Sequence, residues 1–139
     1  MPQDVGAAVI VTKDFHFYAA HRNEEIGGKC ANIHGHRYGI SVSVDAEKKS
    51  SVSMLFSDLE AAVEPLLNLV DHCLILNVSD PSVPALVASG ACGKVYWIKG
   101  PASAENVALS FLSDLMARGL NVVSLTLKET DTSSVTVTP

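Results

Sequence analysis

His34-Gly35-His36-Arg37-Tyr38-Gly39-Ile40-Ser41-Val42-Ser43-Val44-Asp45-Ala46 is the stretch on which the fold turns. Tyr38, Ile40, Val42 and Val44 share one parity, so residues 34–46 read as a long half-buried strand. Side chains two apart on a strand share a face, with Cα atoms about 6.5–7 Å apart. The imidazoles of His34 and His36 can therefore converge on one metal ion, and Gly35 between them puts no side chain on the opposite face. The same pair also serves elsewhere as a plain polar strand start.

Working outward, residues 6–18 read as a partner strand, with Phe15 and Phe17 on one side and Asp14, His16 and Tyr18 on the other. His21 ends that strand and can add a third nitrogen; three neutral imidazoles with an open position suit a catalytic metal. Residues 22–33, with Gly27-Gly28, read as a loop. A helix is expected from about Ser57, where Ser57 and Glu60 have capping-box spacing, with Leu59, Val63, Leu66, Leu67 and Val70 on its apolar face. Residues 78–93 read as a surface excursion with a helical turn, and 94–98 as a short strand. A second helix runs from about Ser103 to Arg118, with Val107, Ala108, Phe111, Leu112 and Leu115 inward and Gly119 as its stop. Residues 120–128 form a strand with Val123, Leu125 and Leu127 in phase, and 134–138 a last one.

The order strand, strand, helix, strand, helix, strand, strand predicts an α+β layer: an antiparallel sheet with helices on one face. Strands apolar at both parities predict that another subunit covers the second face. The 139 residues suffice for one domain, 1–139, with no repeat or linker. At 47% apolar and 18% charged the chain is globular in composition. A net charge of −5, with no basic run beyond Lys48-Lys49, argues against nucleic acid as a partner. No apolar stretch reaches membrane-spanning length, and residues 1–14 lack a signal-peptide pattern, so a cytoplasmic location is expected. Three cysteines at irregular spacing read as free thiols, with Cys73 and Cys92 as small buried residues.

Further residues draw notice. Cys30 lies four residues before His34; beside a metal and near Lys29 its thiolate would be favoured and could act as a base, or it could close the metal site as a fourth ligand. Asp71-His72, at the end of the first helix, fits a carboxylate-held proton shuttle or a solvated helix end. Glu129 shares the parity of Leu125 and Leu127, and a carboxylate on a core-facing parity needs donors. The amino and ring N–H edge of a pterin or guanine supplies such donors, while an exposed strand end is the simpler alternative. Glu105, opening the second helix, is accounted for by the helix dipole.

Together and in this order these segments resemble one family, the 6-pyruvoyl-tetrahydropterin and 6-carboxytetrahydropterin synthases. Phe17-Tyr18-Ala19-Ala20-His21 is similar to its F-x-A-A-H strand, and Cys30 through His36 to its C-x-x-x-H-G-H. Asp71-His72 with Leu76-Asn77 resembles its D-H…L-N, Ser103-Ala104-Glu105-Asn106 its T-x-E-N, and Glu129-Thr130 its E-T. The resemblance implies a tunnelling fold, two helices on a four-stranded antiparallel sheet, assembling into a barrel as a homo-oligomer, a hexamer built from two trimers. It implies zinc on His21, His34 and His36, Cys30 as base, Asp71 and His72 as relay, and Glu129, Glu105 and Thr130 at the pterin. The substrate implied is 7,8-dihydroneopterin triphosphate, giving 6-carboxytetrahydropterin, triphosphate and acetaldehyde on the route to queuosine. The biopterin-type product, 6-pyruvoyl-tetrahydropterin, is the alternative, and a zinc- or pterin-binding relative without turnover is a third. Arg22, Lys29 and Arg37 are the nearby cations for a triphosphate. The chain departs from the family pattern at Leu55, where an Asp is usual, and at Ala102-Ser103, where Pro-Thr is usual.

Overall fold

In the computed structural model, residues 6–46 and 54–139 are described; Lys48-Lys49 and the first five residues of the chain's start lie outside them. The elements run β1 (Ile10–His21), a 3₁₀ turn (Gly28–Ala31), β2 (His34–Asp45), α1 (Phe56–Val70), β3 (Cys73–Asn77), α2 (Val83–Ser89), β4 (Val95–Ile98), α3 (Ala104–Ala117), β5 (Val122–Thr130) and β6 (Ser133–Val137).

The sheet order is β4-β3-β1-β2-β5-β6. The expected antiparallel set is there: β1 with β2, β2 with β5, and β5 with β6. Two strands join it in parallel, β3 beside the end of β1 and β4 beside β3. Among the described residues the sheet therefore has six strands rather than four, and α2 is a third α-helix. Cys73-Leu74-Ile75-Leu76 is wholly buried, and a short continuous apolar run is what a strand covered on both faces needs.

Boundaries also move. The first strand starts at Ile10 rather than residue 6 and carries on to His21. The expected Ser57–Glu60 capping box is replaced. Leu55 holds the N-cap position, where its side chain can accept nothing, and the Asp58 carboxylate takes the Leu55 N–H at 3.1 Å. At α3 the expectation holds: Ser103 Oγ accepts the Asn106 N–H at 3.2 Å. On β5 a register shift opposite Ser43/Val44 turns Val122 inward in place of Val123.

The core lies between one sheet face and the helices α1 and α3. Phe15, Phe17, Tyr38, Ile40, Val42, Leu125 and Leu127 meet Leu59, Val63, Leu66, Val107, Phe111 and Leu115. Phe17 stacks on Tyr38 with centroids 5.0 Å apart, and Phe111 meets Phe17 edge-on at 5.7 Å. The other face is not apolar at its centre, contrary to expectation. It carries Thr12 bonded to Ser43, Ser41 donating to Asp14, and Thr126 bonded to Thr136. Cys73 is buried as expected, whereas Cys92 is only half-buried.

Phe111→Ala is expected to lower unfolding free energy by about 3–5 kcal/mol through lost burial and a residual cavity. Leu109→Ala, on the exposed side of the same helix, should change it by no more than about 0.5 kcal/mol. Denaturant midpoints of the two variants check this; equal losses would contradict the assigned core face.

Candidate metal and substrate site

The β1–β2 ladder ends on the pairs Ala19↔His36, Ala20↔Gly35 and His21↔His34. Cross-strand partners share a face, so His21, His34 and His36 all project to the helix-covered side, above the Phe17–Tyr38 stack. The His21 and His34 Nε2 atoms are 3.1 Å apart, and the His36 Nε2 lies 3.2 Å from that of His21. Gly35 lies close to the backbone of β1: a Cβ there would come 3.3 Å from the Ala19 carbonyl oxygen.

The second ring nitrogens assign the tautomers. His21 Nδ1 donates to Ala102 O at 2.7 Å, and His34 Nδ1 donates to Asn32 O at 2.7 Å, because a carbonyl can only accept. Both Nε2 atoms then hold lone pairs, and two lone pairs 3.1 Å apart ask for a cation between them. Burial lowers the pKa of His21, outweighing the opposing effect of the Ala102 carbonyl, and keeps the ring in its neutral ligand form. Two nitrogens each about 2.0–2.1 Å from one tetrahedral metal stand about 3.3 Å apart. The observed spacings match that requirement.

Glu129 completes the group. Its Oε1 is 3.2 Å from His36 Nε2 and 4.0 Å from His21 Nε2. The four donor atoms lie within 4.8 Å of one another, so His21, His34, His36 and Glu129 can hold a metal ion. Glu129 also lines a cavity of about 240 Å³ with Glu105, Thr130 and Ser133. The three residues read from sequence as substrate-binding thus border one space, and Glu129 is the residue it shares with the four-donor group.

Asp71 and His72 are elsewhere. His72 Nδ1 lies 3.0 Å from Asp71 Oδ2, so the pair itself is formed. It is stapled to β1 twice: His72 N–H donates to Tyr18 O at 2.6 Å, and Tyr18 N–H donates to Asp71 Oδ1 at 3.0 Å. That backbone donor first, and His72 second, hold the Asp71 carboxyl below the usual carboxylate range. His72 takes the left-handed conformation, φ 61°, uncommon for a residue with a Cβ. Its ring lies beside Tyr18, whose side chain points to the sheet face opposite His21. His72, Tyr18, Ala20 and Arg37 line an open cavity of about 510 Å³ that His36 also borders. The Asp71–His72 pair lies beside Tyr18, on the sheet face opposite the one to which His21 projects.

Cys30 sits in the 3₁₀ turn, half-buried, outside the four-donor group. Burial pushes the Cys73 thiol up to about 11, as fits an inert core residue. Of the three nearby cations, Arg22 is committed to Asp80 at 2.8 Å. Arg37 has no hydrogen bond or ion pair from its side chain among the described residues and faces the His72 cavity.

The departures from the family pattern leave these groups in place. Leu55 is the N-cap of α1 and is not among the four donor residues, and Ala102 contributes a backbone carbonyl, which any residue supplies. Asn77, in the L-N element, is a structural hub: it donates to Glu24 Oε1 at 2.7 Å and accepts from Ser79 and Gly100 N–H at 3.0 and 3.1 Å. Sequence reading did not find the Ala102 carbonyl, the Arg22–Asp80 pair or the nearness of Glu129 to the imidazoles. Only the last had a signal, the parity Glu129 shares with Leu125 and Leu127.

A sequence model of the family described as 6-pyruvoyl tetrahydropterin synthase matches residues 10–139. The 6-carboxy-5,6,7,8-tetrahydropterin synthase of Aquifex aeolicus is 32% identical over 152 aligned positions, covering 88% of this chain and 93% of that one. The protein of the same name from Rickettsia conorii is 29% identical over 136, covering 91% and 97%. Among solved structures, the 6-pyruvoyl tetrahydropterin synthase of Caenorhabditis elegans superposes with a TM-score of 0.69 at 22% identity, covering 96% of each chain, and shares the fold.

Losing even an outer-shell partner of a metal ligand costs about 10- to 100-fold in affinity. His34→Ala removes a ligand itself and is expected to exceed that loss. Equilibrium dialysis with zinc, read by mass spectrometry, checks it; stoichiometric metal in the variant would contradict the ligand set.

Proposed function

The chain belongs to the 6-pyruvoyl tetrahydropterin synthase family, and from that premise we propose that it converts 7,8-dihydroneopterin triphosphate to 6-carboxytetrahydropterin, releasing triphosphate and acetaldehyde. The observation that carries the reading is the double placement of Glu129, which belongs to the donor group with the three imidazoles and also lines a cavity with Glu105 and Thr130, so that a metal-ligand set adjoins carboxylates for a pterin edge. The curated names of the bacterial relatives favour the carboxy product.

Zinc is the ion we assign to His21, His34 and His36, since neutral imidazoles at this spacing suit it. Bound there, it would supply Lewis acidity toward the oxygens of the substrate side chain. Glu129, with Glu105 and Thr130 beside it, binds the pterin by accepting its amino and ring N–H donors in parallel. Cys30 takes a proton from the side chain as a thiolate base, and His72, oriented by Asp71, moves a proton as the side chain rearranges.

Because Asp71–His72 lies on the opposite sheet face from its own cluster, it serves the site of a neighbouring subunit in a homo-oligomer, for which we propose a hexamer of two trimers. Arg37, in the same cavity as His72, then meets the triphosphate of that neighbour's substrate. A cytoplasmic location accords with such a substrate. No helix among the described residues is long and apolar enough to cross a membrane.

Incubation of the zinc-loaded protein with 7,8-dihydroneopterin triphosphate should yield a 6-carboxy pterin and acetaldehyde by mass spectrometry. A 6-pyruvoyl product without acetaldehyde would move the chain to the biopterin-type reaction, and no turnover would leave a binding protein. Glu129→Gln should raise KM by about tenfold or more with zinc content kept, since one charge-assisted pairing is lost. Unchanged KM would remove Glu129 from pterin binding. Mixing inactive His34→Ala chains with inactive His72→Ala chains should restore activity in hybrid oligomers, because some sites then combine an intact cluster with an intact relay. No recovery would refute the shared site.

A further inference from the structure

Arg22 directly follows the ligand His21, and its guanidinium bridges two loops. Its Nε donates to Asp80 Oδ2 at 2.8 Å, and its Nη1 donates to Ala31 O at 2.6 Å. Asp80 is an anchor: its side chain is wholly buried, and its Oδ1 accepts the Ser82 N–H at 2.8 Å and the Ser82 hydroxyl at 2.7 Å. Burial alone would raise the Asp80 carboxyl; the Arg22 and Ser82 donors outweigh it and hold it below the usual range. The next residue, Asn23, donates its N–H to Cys30 O at 2.8 Å.

Two consecutive carbonyls of the turn, those of Cys30 and Ala31, are thus tied to the two residues that follow His21. On the other side the turn is entered through Gly27 and Gly28, both at positive φ (74° and 56°), which leaves that arm with no side chain to anchor it. His34 Nδ1 on Asn32 O fixes the exit of the turn, and the tie through Arg22 and Asn23 holds its body, where Cys30 sits, against the residues that follow His21. Arg22 supplies it with a planar fork that serves Asp80 and Ala31 at once, which a single ammonium does not reproduce.

We infer that Arg22 and Asp80 are positioning residues, a buried brace that sets the Cys30 turn against the imidazole cluster, and that Arg22 is not a cation for the substrate's triphosphate. This rests on the reading of Cys30 as the base. An arginine spent on phosphate would face open space; this one is shared between a buried carboxylate and a backbone carbonyl.

The test uses the full zinc-loaded chain with 7,8-dihydroneopterin triphosphate, and the variants Arg22→Lys, Asp80→Asn, Arg22→Gln/Asp80→Asn and Cys30→Ala. Arg22→Lys keeps the ion pair and so the fold, but loses the Ala31 bond. A misplacement of the order of 1 Å can cost about 100-fold, so kcat should fall by about 10- to 100-fold in Arg22→Lys and Asp80→Asn. KM should stay within about twofold, because ground-state binding is untouched. Zinc content should match the wild type. Amide hydrogen exchange over residues 28–32 should speed up while that of α3 does not, and the double variant should be little worse than Asp80→Asn, as members of one brace are not additive.

Wild-type kcat in Arg22→Lys and Asp80→Asn, with Cys30→Ala inactive, would overturn the brace. A raised KM at unchanged kcat in Arg22→Lys would return Arg22 to the triphosphate and overturn it equally. Full activity in Cys30→Ala would refute the base instead. The brace would then stand or fall on exchange over residues 28–32, faster in Arg22→Lys if it holds and unchanged if it does not.

Discussion

The register of β1 against β2 is the constraint on which the site depends. His21 faces His34, and Ala19 faces His36, so that one small residue leaves room for the third imidazole. A slip of one residue would turn every side chain of one strand to the other face and break the cluster. The register is held from below by the Phe17–Tyr38 stack and, at the cluster itself, by the close approach of Gly35 to Ala19. The convergence of donors that can hold a metal is thus a by-product of how the core packs. The same alternation that buries Phe15, Phe17, Tyr38 and Ile40 delivers three Nε2 atoms to one point at the strand ends.

From that constraint follows a division of labour between the sheet faces. The helix-covered face ends in the imidazoles, Glu129 and the Glu105 cavity. The open face carries Tyr18, Arg37 and the Asp71–His72 pair over a polar field of Thr12, Asp14, Ser41 and Thr126. In the proposed chemistry the Asp71–His72 pair and the imidazoles are two half-sites of one subunit, and their union falls to the assembled oligomer.

Much of this was legible in the sequence because it rests on period-two alternation and fixed local spacing. The β1–β2 pair, the convergence of His34 and His36, the two long helices and the inward parity of Glu129 all have that origin. What was not legible depends on contacts between distant segments. Parallel β3 needs α1 to return the chain beside β1, and its five residues, buried on both faces, show no alternation. The Leu55 cap defeats a rule that looks for Ser, Thr, Asp or Asn, because Asp58 satisfies the helix start from three residues on. The Arg22–Asp80 pair joins residues 58 apart in the chain, and the Ala102 carbonyl that orients His21 is a backbone atom with no sequence signature.

X-ray absorption at the zinc edge of the metal-loaded protein decides whether the metal is held by imidazoles set by strand register, with Cys30 outside the ligand shell. Only nitrogen and oxygen neighbours at about 2.0–2.1 Å are expected. A sulfur neighbour at about 2.3 Å would put Cys30 on the metal, take it from its role as base, and refute the imidazole-only ligand set.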